Sequence, residues 1–400
     1  MSSTAAQMRE YRGVAFLSFG FRPFFLSAAL LAACFPLVIA LVLAGVIPFS
    51  ANISVIAWHG HEMLYGYLSA VISGFILTAV PNWTGRLPVL GWRLALLFAL
   101  WLAGRAAFWL APTSITATVI DASFLAVMVA IILREIIAGK NWRNLPVCLL
   151  LGMFATGNVL WHLDAISGGN SGLGLRCGLA TIAVLLALIG GRITPSFTRN
   201  WFVKNGFKPF EFSFGLLDKV AIGILGISTV FWLAAPTAFL VGVALVASAI
   251  LHAIRLARWQ GWRTGAEFLV TILHVGYLWL VAALAILGAS ILSPSLVPQS
   301  TAIHALTAGA AGVMTLAVMT RATLGHTGRR LTADGSTKLL YVLVNLGALL
   351  RIAAPFFPAN YTTIITVSAL MWGGAFAIFA FTYGRYLISK KVPATAGATS

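Results

Sequence analysis

Residues 222–253 read IGILGISTVFWLAAPTAFLVGVALVASAILHA, two unbroken apolar runs with one proline, Pro236, between them. Strands of a membrane barrel would alternate apolar and polar residues over about ten positions, and neither run does so. Each run is therefore read as a helix. The proline lacks an N–H and obstructs a continuing helix, so it marks the turn of a tight hairpin. The pattern repeats outward in both directions. The chain is 60% hydrophobic and 9% charged, which leaves too little polar surface to solvate a 400-residue globule. The expected fold is all-α, a polytopic membrane helix bundle in contact with the lipid bilayer.

At about 20 apolar residues per span, 400 residues accommodate about twelve spans with little left over. They read as 24–43, 58–79, 93–111, 115–133, 145–163, 175–193, 217–235, 237–254, 267–287, 301–321, 338–355 and 361–387. The organisation expected is a cytoplasmic segment over 1–20, one transmembrane domain over 21–390 and a tail over 391–400. No Ala-x-Ala type cleavage site follows the first apolar run, so it is read as a retained helix. Cys34, Cys148 and Cys177 form neither a C-x-x-C pair nor a C-x-x-C-H haem attachment site, so neither disulfides nor covalently attached haem is expected.

A formal charge of +17 would suit nucleic acid, but the location of the charges argues otherwise. With a cytoplasmic N-terminus, all but three of the 26 Lys and Arg fall in or beside cytoplasmic segments. Positive-inside insertion produces this bias, and an even span count puts both termini in the cytoplasm. Nucleic acid is thereby excluded as a partner. The three exceptions, Arg105, Arg176 and Arg351, fall at the outer ends of the third, sixth and eleventh spans.

Four of the seven histidines, His59, His61, His162 and His304, fall at that same outer end. Imidazole is a preferred ligand of iron, copper and zinc, and ionisable residues within spans are functional candidates by default. Trp58-His59-Gly60-His61-Glu62-Met63 concentrates several possible ligands. Helical spacing groups His59, Glu62 and Met63 on one face and turns His61 about 200° away, in line with Tyr65. One segment would thus serve two neighbouring sites, a haem iron on one side and a copper on the other. The alternative is a pair of interfacial histidines bonded to headgroups or backbone. His274 lies deeper, about seven residues into the ninth span from its cytoplasmic end, while His252 and His326 sit near the cytoplasmic face, His252 read as solvated.

His61 precedes Thr84-Gly85-Arg86, and His304 precedes Thr327-Gly328-Arg329, by 23 residues in each case, with Gly66 and Gly309 five residues after the histidine. The sixth span runs in the same direction and ends near Thr198-Arg199, so spans 2, 6 and 10 would head three related four-helix units. In that reading His61 and His304 occupy equivalent depths and hold one b-type haem between them. Arg105, Arg176 and Arg351 would then neutralise its propionates, guanidinium being a bidentate carboxylate partner. Alternatively, Arg105 pairs with Asp121 or Glu62. The Thr-Gly-Arg endings read as helix stops with an arginine anchored to lipid phosphates. The aromatic stretch Phe197 to Phe214 reads as interfacial.

These stretches carry a family resemblance: Phe21-Arg22-Pro23-Phe24-Phe25, His59 to Gly66, Thr78 to Arg86, Gly191 to Asn200, His274 to Leu280 and His304 to Arg329. The chain resembles the NnrS family of bacterial haem- and copper-containing membrane proteins linked to the nitric oxide response. The resemblance implies haem b and copper as cofactors, nitric oxide as ligand, the bacterial inner membrane as location and an electron donor whose identity is unknown. Under it, His59, His162 and His274 hold copper, with Met63 or Cys177 as soft auxiliary ligands. Glu62 serves as proton donor, since an apolar surrounding favours a protonated carboxyl. The reaction implied is reduction of nitric oxide to nitrous oxide. Two other classes remain open, a twelve-span secondary transporter and a haem-based nitric oxide sensor without turnover.

Overall fold

A computed structural model describes residues 11–49, 52–86, 88–169, 171–210 and 213–392. Arg9, Phe212 and the end of the tail beyond residue 392 lie outside the described residues, as does the side chain of Asn82. Among the described residues, twelve helices are long and apolar enough to cross a membrane. They are α1 (Phe21–Leu43), α2 (Val55–Pro81), α3 (Trp92–Leu110), α4 (Ile115–Ala138), α5 (Trp142–Ser167), α6 (Leu173–Lys204), α7 (Leu216–Ala234), α8 (Phe239–Arg263), α9 (Phe268–Leu292), α10 (Gln299–His326), α11 (Gly335–Phe356) and α12 (Pro358–Ile388). The chain is a multi-pass membrane protein. Its opening hairpin turns at Pro236, between α7 and α8.

Local chemistry sets the ends. Ser54, Ser114 and Asp334 each accept a backbone N–H three residues on, capping α2, α4 and α11. Gly85 and Gly168, both with φ near +67°, stop α2 and α5 in the left-handed region where a Cβ is disfavoured. The Nε of Arg86 donates to Glu135 of α4 at 2.5 Å, with the side chain half exposed at the helix end.

The helices form three similar groups. α2, α6 and α10 are the most buried spans and meet at the centre. Around them pack the consecutive triplets α3–α4–α5, α7–α8–α9 and α11–α12–α1. The last triplet closes the ring, because α12 lies along α1. There the buried guanidinium of Arg22 donates to the carbonyls of Leu387 and Ser389 at 2.8 and 2.7 Å, so the two ends of the bundle chain meet on one side.

Each central helix also departs from α geometry. π-helical turns run Glu62–Leu68 in α2, Leu186–Gly190 in α6 and Ala305–Ala311 in α10. In α2 and α10 the widened turn begins one residue after His61 and His304, respectively. Such turns are rare and concentrate at functional sites. The glycines within them serve close packing: a Cβ at Gly66 would lie 2.8 Å from the Arg105 guanidinium, and one at Gly309 would strike the Trp279 ring.

Two expectations need correction. The stretch after Phe197 does not lie flat at an interface; α6 continues to Lys204, with Thr198 and Phe202 fully buried. His252 is not solvated but fully buried, its Nδ1 2.7 Å from the Tyr277 hydroxyl. That hydroxyl also accepts from Arg255, which is locked to Asp218 (2.7 Å) and to the Ala187 carbonyl in the π turn of α6 (2.7 Å). The second misreading has a clear cause, since Arg255 beside His252 looks solvated from sequence but is an internal ion-pair partner of Asp218.

Candidate functional site

The first turns of α2 place two imidazoles two residues apart, about 200° around the helix axis. They therefore meet different neighbours. His61 is fully buried against α3, α4 and α5. Its Nε2 lies 3.0 Å from Asn158 Oδ1 and 3.3 Å from Asp121 Oδ2, its Nδ1 lies 3.3 Å from Glu62 Oε1, and Phe108 stacks on its ring at 3.9 Å. His162 Nε2 sits 3.0 Å from Asp121 Oδ2. Arg105 donates to Glu62 at 2.5 Å and also to Asp121. One ligand atom each from His61, Asp121 and His162 fall within 4.8 Å of one another.

Charge counting gives this cluster its chemistry. With both imidazoles neutral, two carboxylates and one guanidinium leave one net negative charge in a buried site. An uncompensated buried charge costs several kcal/mol. A single positive charge, either a proton on the histidine pair or a bound monovalent cation, restores neutrality. Two imidazoles with a carboxylate are a donor set that copper accepts.

His59 turns the other way, toward α10. Its ring faces that of His304 with centroids 6.4 Å apart and planes 13° from parallel. Both line a cavity of about 330 Å³ walled by α1, α2, α6, α10, α11 and α12. Met63, Tyr67, Arg351 and Tyr361 share that wall, which is otherwise mostly aliphatic. His304 Nδ1 donates to the Ser300 carbonyl at 2.7 Å, which fixes the tautomer and leaves Nε2 with its lone pair. His59 Nδ1 and Arg351 Nη1 are buried without a hydrogen-bond partner.

Thus the expected groupings are redistributed. His304 is brought to His59 rather than to His61, and His61 is brought to His162. Glu62 joins His61 instead of His59, because the Arg105 guanidinium draws it to that side. Arg105 itself is consumed by Glu62 and Asp121, which leaves Arg351 as the arginine beside the facing pair. Arg176 donates to the Ser171 carbonyl at 2.9 Å at the start of α6. Met63 lines the His59 cavity, away from His162, while Cys177 donates to the Met153 carbonyl on α5. His274 belongs to neither group: its Nε2 is 2.8 Å from Thr198 Oγ1 near the opposite end of α6. His326 packs on Phe19 and Phe21.

Sequence reasoning passed over Asn158, Ser300 and Tyr361, and treated Asp121 only as a partner for Arg105. Asn158 was detectable, since it precedes His162 by one helical turn and so shares its face. Ser300 acts through its backbone carbonyl and leaves no signal in side-chain chemistry.

No curated protein sequence matches the chain at a significant level. The family described as "NnrS protein" matches residues 15–391, which takes in all twelve helices and both histidine groups. By that match over nearly its whole length, the chain belongs to the NnrS family.

Proposed function

We propose that the protein binds haem b and copper in the bacterial inner membrane and uses them to bind and reduce nitric oxide. The observation that carries this reading is the opposed pair His59 and His304, 6.4 Å between ring centres. His59 and His304 line the wall of one cavity and would hold the haem iron there, imidazole being its usual ligand in b-type haems. The buried Arg351 Nη1, without a protein partner, suits a haem propionate, and the apolar wall suits the macrocycle. Copper fits the other face of α2, at His61, His162 and Asp121, where Cu(I) cancels the net negative charge.

When bound, ferrous haem and cuprous copper take nitric oxide as a ligand and supply the electrons that, with two protons, convert two molecules to nitrous oxide and water. The chain's own part is binding and positioning. Ser300 anchors the His304 ring, whereas His59 lacks such a partner at Nδ1, so His304 would be the more firmly held of the two haem-binding residues. Glu62 lies between Arg105 and His61, where it is placed to serve as the proton donor for that cluster. Three central helices within three triplets also differ from the two six-helix halves usual in secondary carriers, which favours the haem and copper reading.

The test is a metal count on single variants. Haem absorbance should vanish in His304→Ala with copper retained, and copper should fall in His162→Ala with haem retained. Absence of a Soret band from the wild-type protein expressed with haem supply would overturn the reading. Anaerobic nitrous oxide production with a chemical reductant separates a reductase from a sensor.

A further inference from the structure

At the meeting point of α2, α6 and α10 lies a second cavity, of about 80 Å³. Its wall is aliphatic apart from Phe75, Met314 and the Thr315 hydroxyl. That hydroxyl is already committed, to the Gly312 carbonyl at 3.0 Å and to Tyr67 at 2.6 Å. A water molecule needs two to four polar partners, so a site of this composition stays dry. The wall is only half-buried at Ile72, Phe75, Ile189 and Val318, so the cavity is reachable from outside the bundle, and its volume accommodates a molecule of two heavy atoms.

The origin of the space lies in the helices themselves. The π turns of α6 and α10 reach its wall at Leu186, Ile189, Gly190 and Ala311, and a turn widened by one residue draws its side chains away from the axis. Leu68, the last residue of the π turn of α2, lines this cavity and the histidine cavity alike. Leu68 is thus common to both walls. The Tyr67–Thr315 hydrogen bond beside it ties α2 to α10 and holds that shared wall in register.

We propose that the central cavity is a binding site for a small uncharged diatomic gas, and that it feeds the histidine cavity past Leu68. Such gases dissolve better in hydrocarbon than in water, so a dry pocket inside a membrane bundle concentrates them next to the site that consumes them. The feeding role rests on the haem reading given above; the gas site itself does not.

Xenon, an apolar probe of suitable size, tests the site directly in crystals of the full chain grown in lipid and pressurised with the gas. The expected result is one xenon between Leu68, Ile189 and Ala311, lost in Ala311→Leu and in Val318→Phe, whose added carbons fill the space. No xenon there in the wild-type protein, or an ordered acyl chain in its place, overturns the proposal. A second measurement follows nitric oxide association with the reduced haem protein after flash photolysis. Ala311→Leu should slow it severalfold with the Soret band unchanged, and an unchanged rate would overturn the feeding role. A protein without haem but with xenon in the cavity would refute the haem reading and leave the gas site standing.

Discussion

The two faces of α2 carry adjacent histidines and opposite environments. On the His61 face three charged side chains interlock around the two imidazoles, although Arg105 Nε and His162 Nδ1 are buried without a partner. On the His59 face the wall is apolar, and buried nitrogens of His59 and Arg351 lack protein partners. Under the function proposed above, the first arrangement takes one small cation and the second a large, mostly apolar ligand that brings its own acceptors. One segment of helix can build both because its side chains are distributed around the axis, and the π turn that follows lets two sets of neighbours approach closely.

The most complete way to break this contrast is ligand removal. His304→Ala should abolish haem binding outright, while His61→Ala should leave the Soret band in place; absorbance of the purified variants decides it. Loss of haem from both, or from neither, would erase the proposed division of labour. Next in size is Arg105→Met, which strands two buried carboxylates. Breaking a buried ion pair from one side costs about 3–5 kcal/mol, so this variant should unfold at much lower temperature in detergent. Arg351→Met should lower haem affinity with little change in melting temperature. The two arginines together measure how far the ion-paired face is structural and the apolar face functional.

Smaller effects sharpen the picture. A Cβ at Gly174 would strike the backbone nitrogen of Trp161 and lie 2.8 Å from the Gly157 carbonyl, where α5 and α6 touch. Gly174→Ala should cost about 1–3 kcal/mol through overpacking, and because Tyr65 reports to the Gly174 carbonyl at 2.7 Å, it should reduce copper content before haem content. Metal analysis against chemical denaturation checks both. The least change is expected from Tyr67→Phe, which removes the bond to Thr315 and about 0.6 kcal/mol, the usual worth of such a bond between membrane helices. A large destabilisation there would mean that the shared wall beside Leu68 is a keystone of the fold.

How much of this was readable in advance follows from what each feature depends on. Twelve spans and their ends follow from run length and from the residues that cap or stop a helix, which are local properties. The kinship of α2 and α10 was visible in their equal spacing from histidine to Thr-Gly-Arg, and the π turns begin at matching positions in both. The pairing of imidazoles was not visible. Both His59 and His61 were legible as ligand candidates, but which of them meets α10 depends on how the α11–α12–α1 triplet closes the ring, a property of the whole chain. Arg255 and Arg22 were hidden for a related reason: each sits among residues that read as a basic span end, and only tertiary packing supplies the acceptors that let them be buried.

The Arg22 clasp bears on biogenesis. Helix α1 carries a guanidinium whose acceptors, the carbonyls of Leu387 and Ser389, are made 365 and 367 residues later. Until then that charge must be sheltered by headgroups, water or the insertion machinery, and the nascent bundle stays an open arc. Completion of α12 is thus the event that seals the arc, so chains cut short before residue 386 should be inserted yet remain targets for membrane proteolysis.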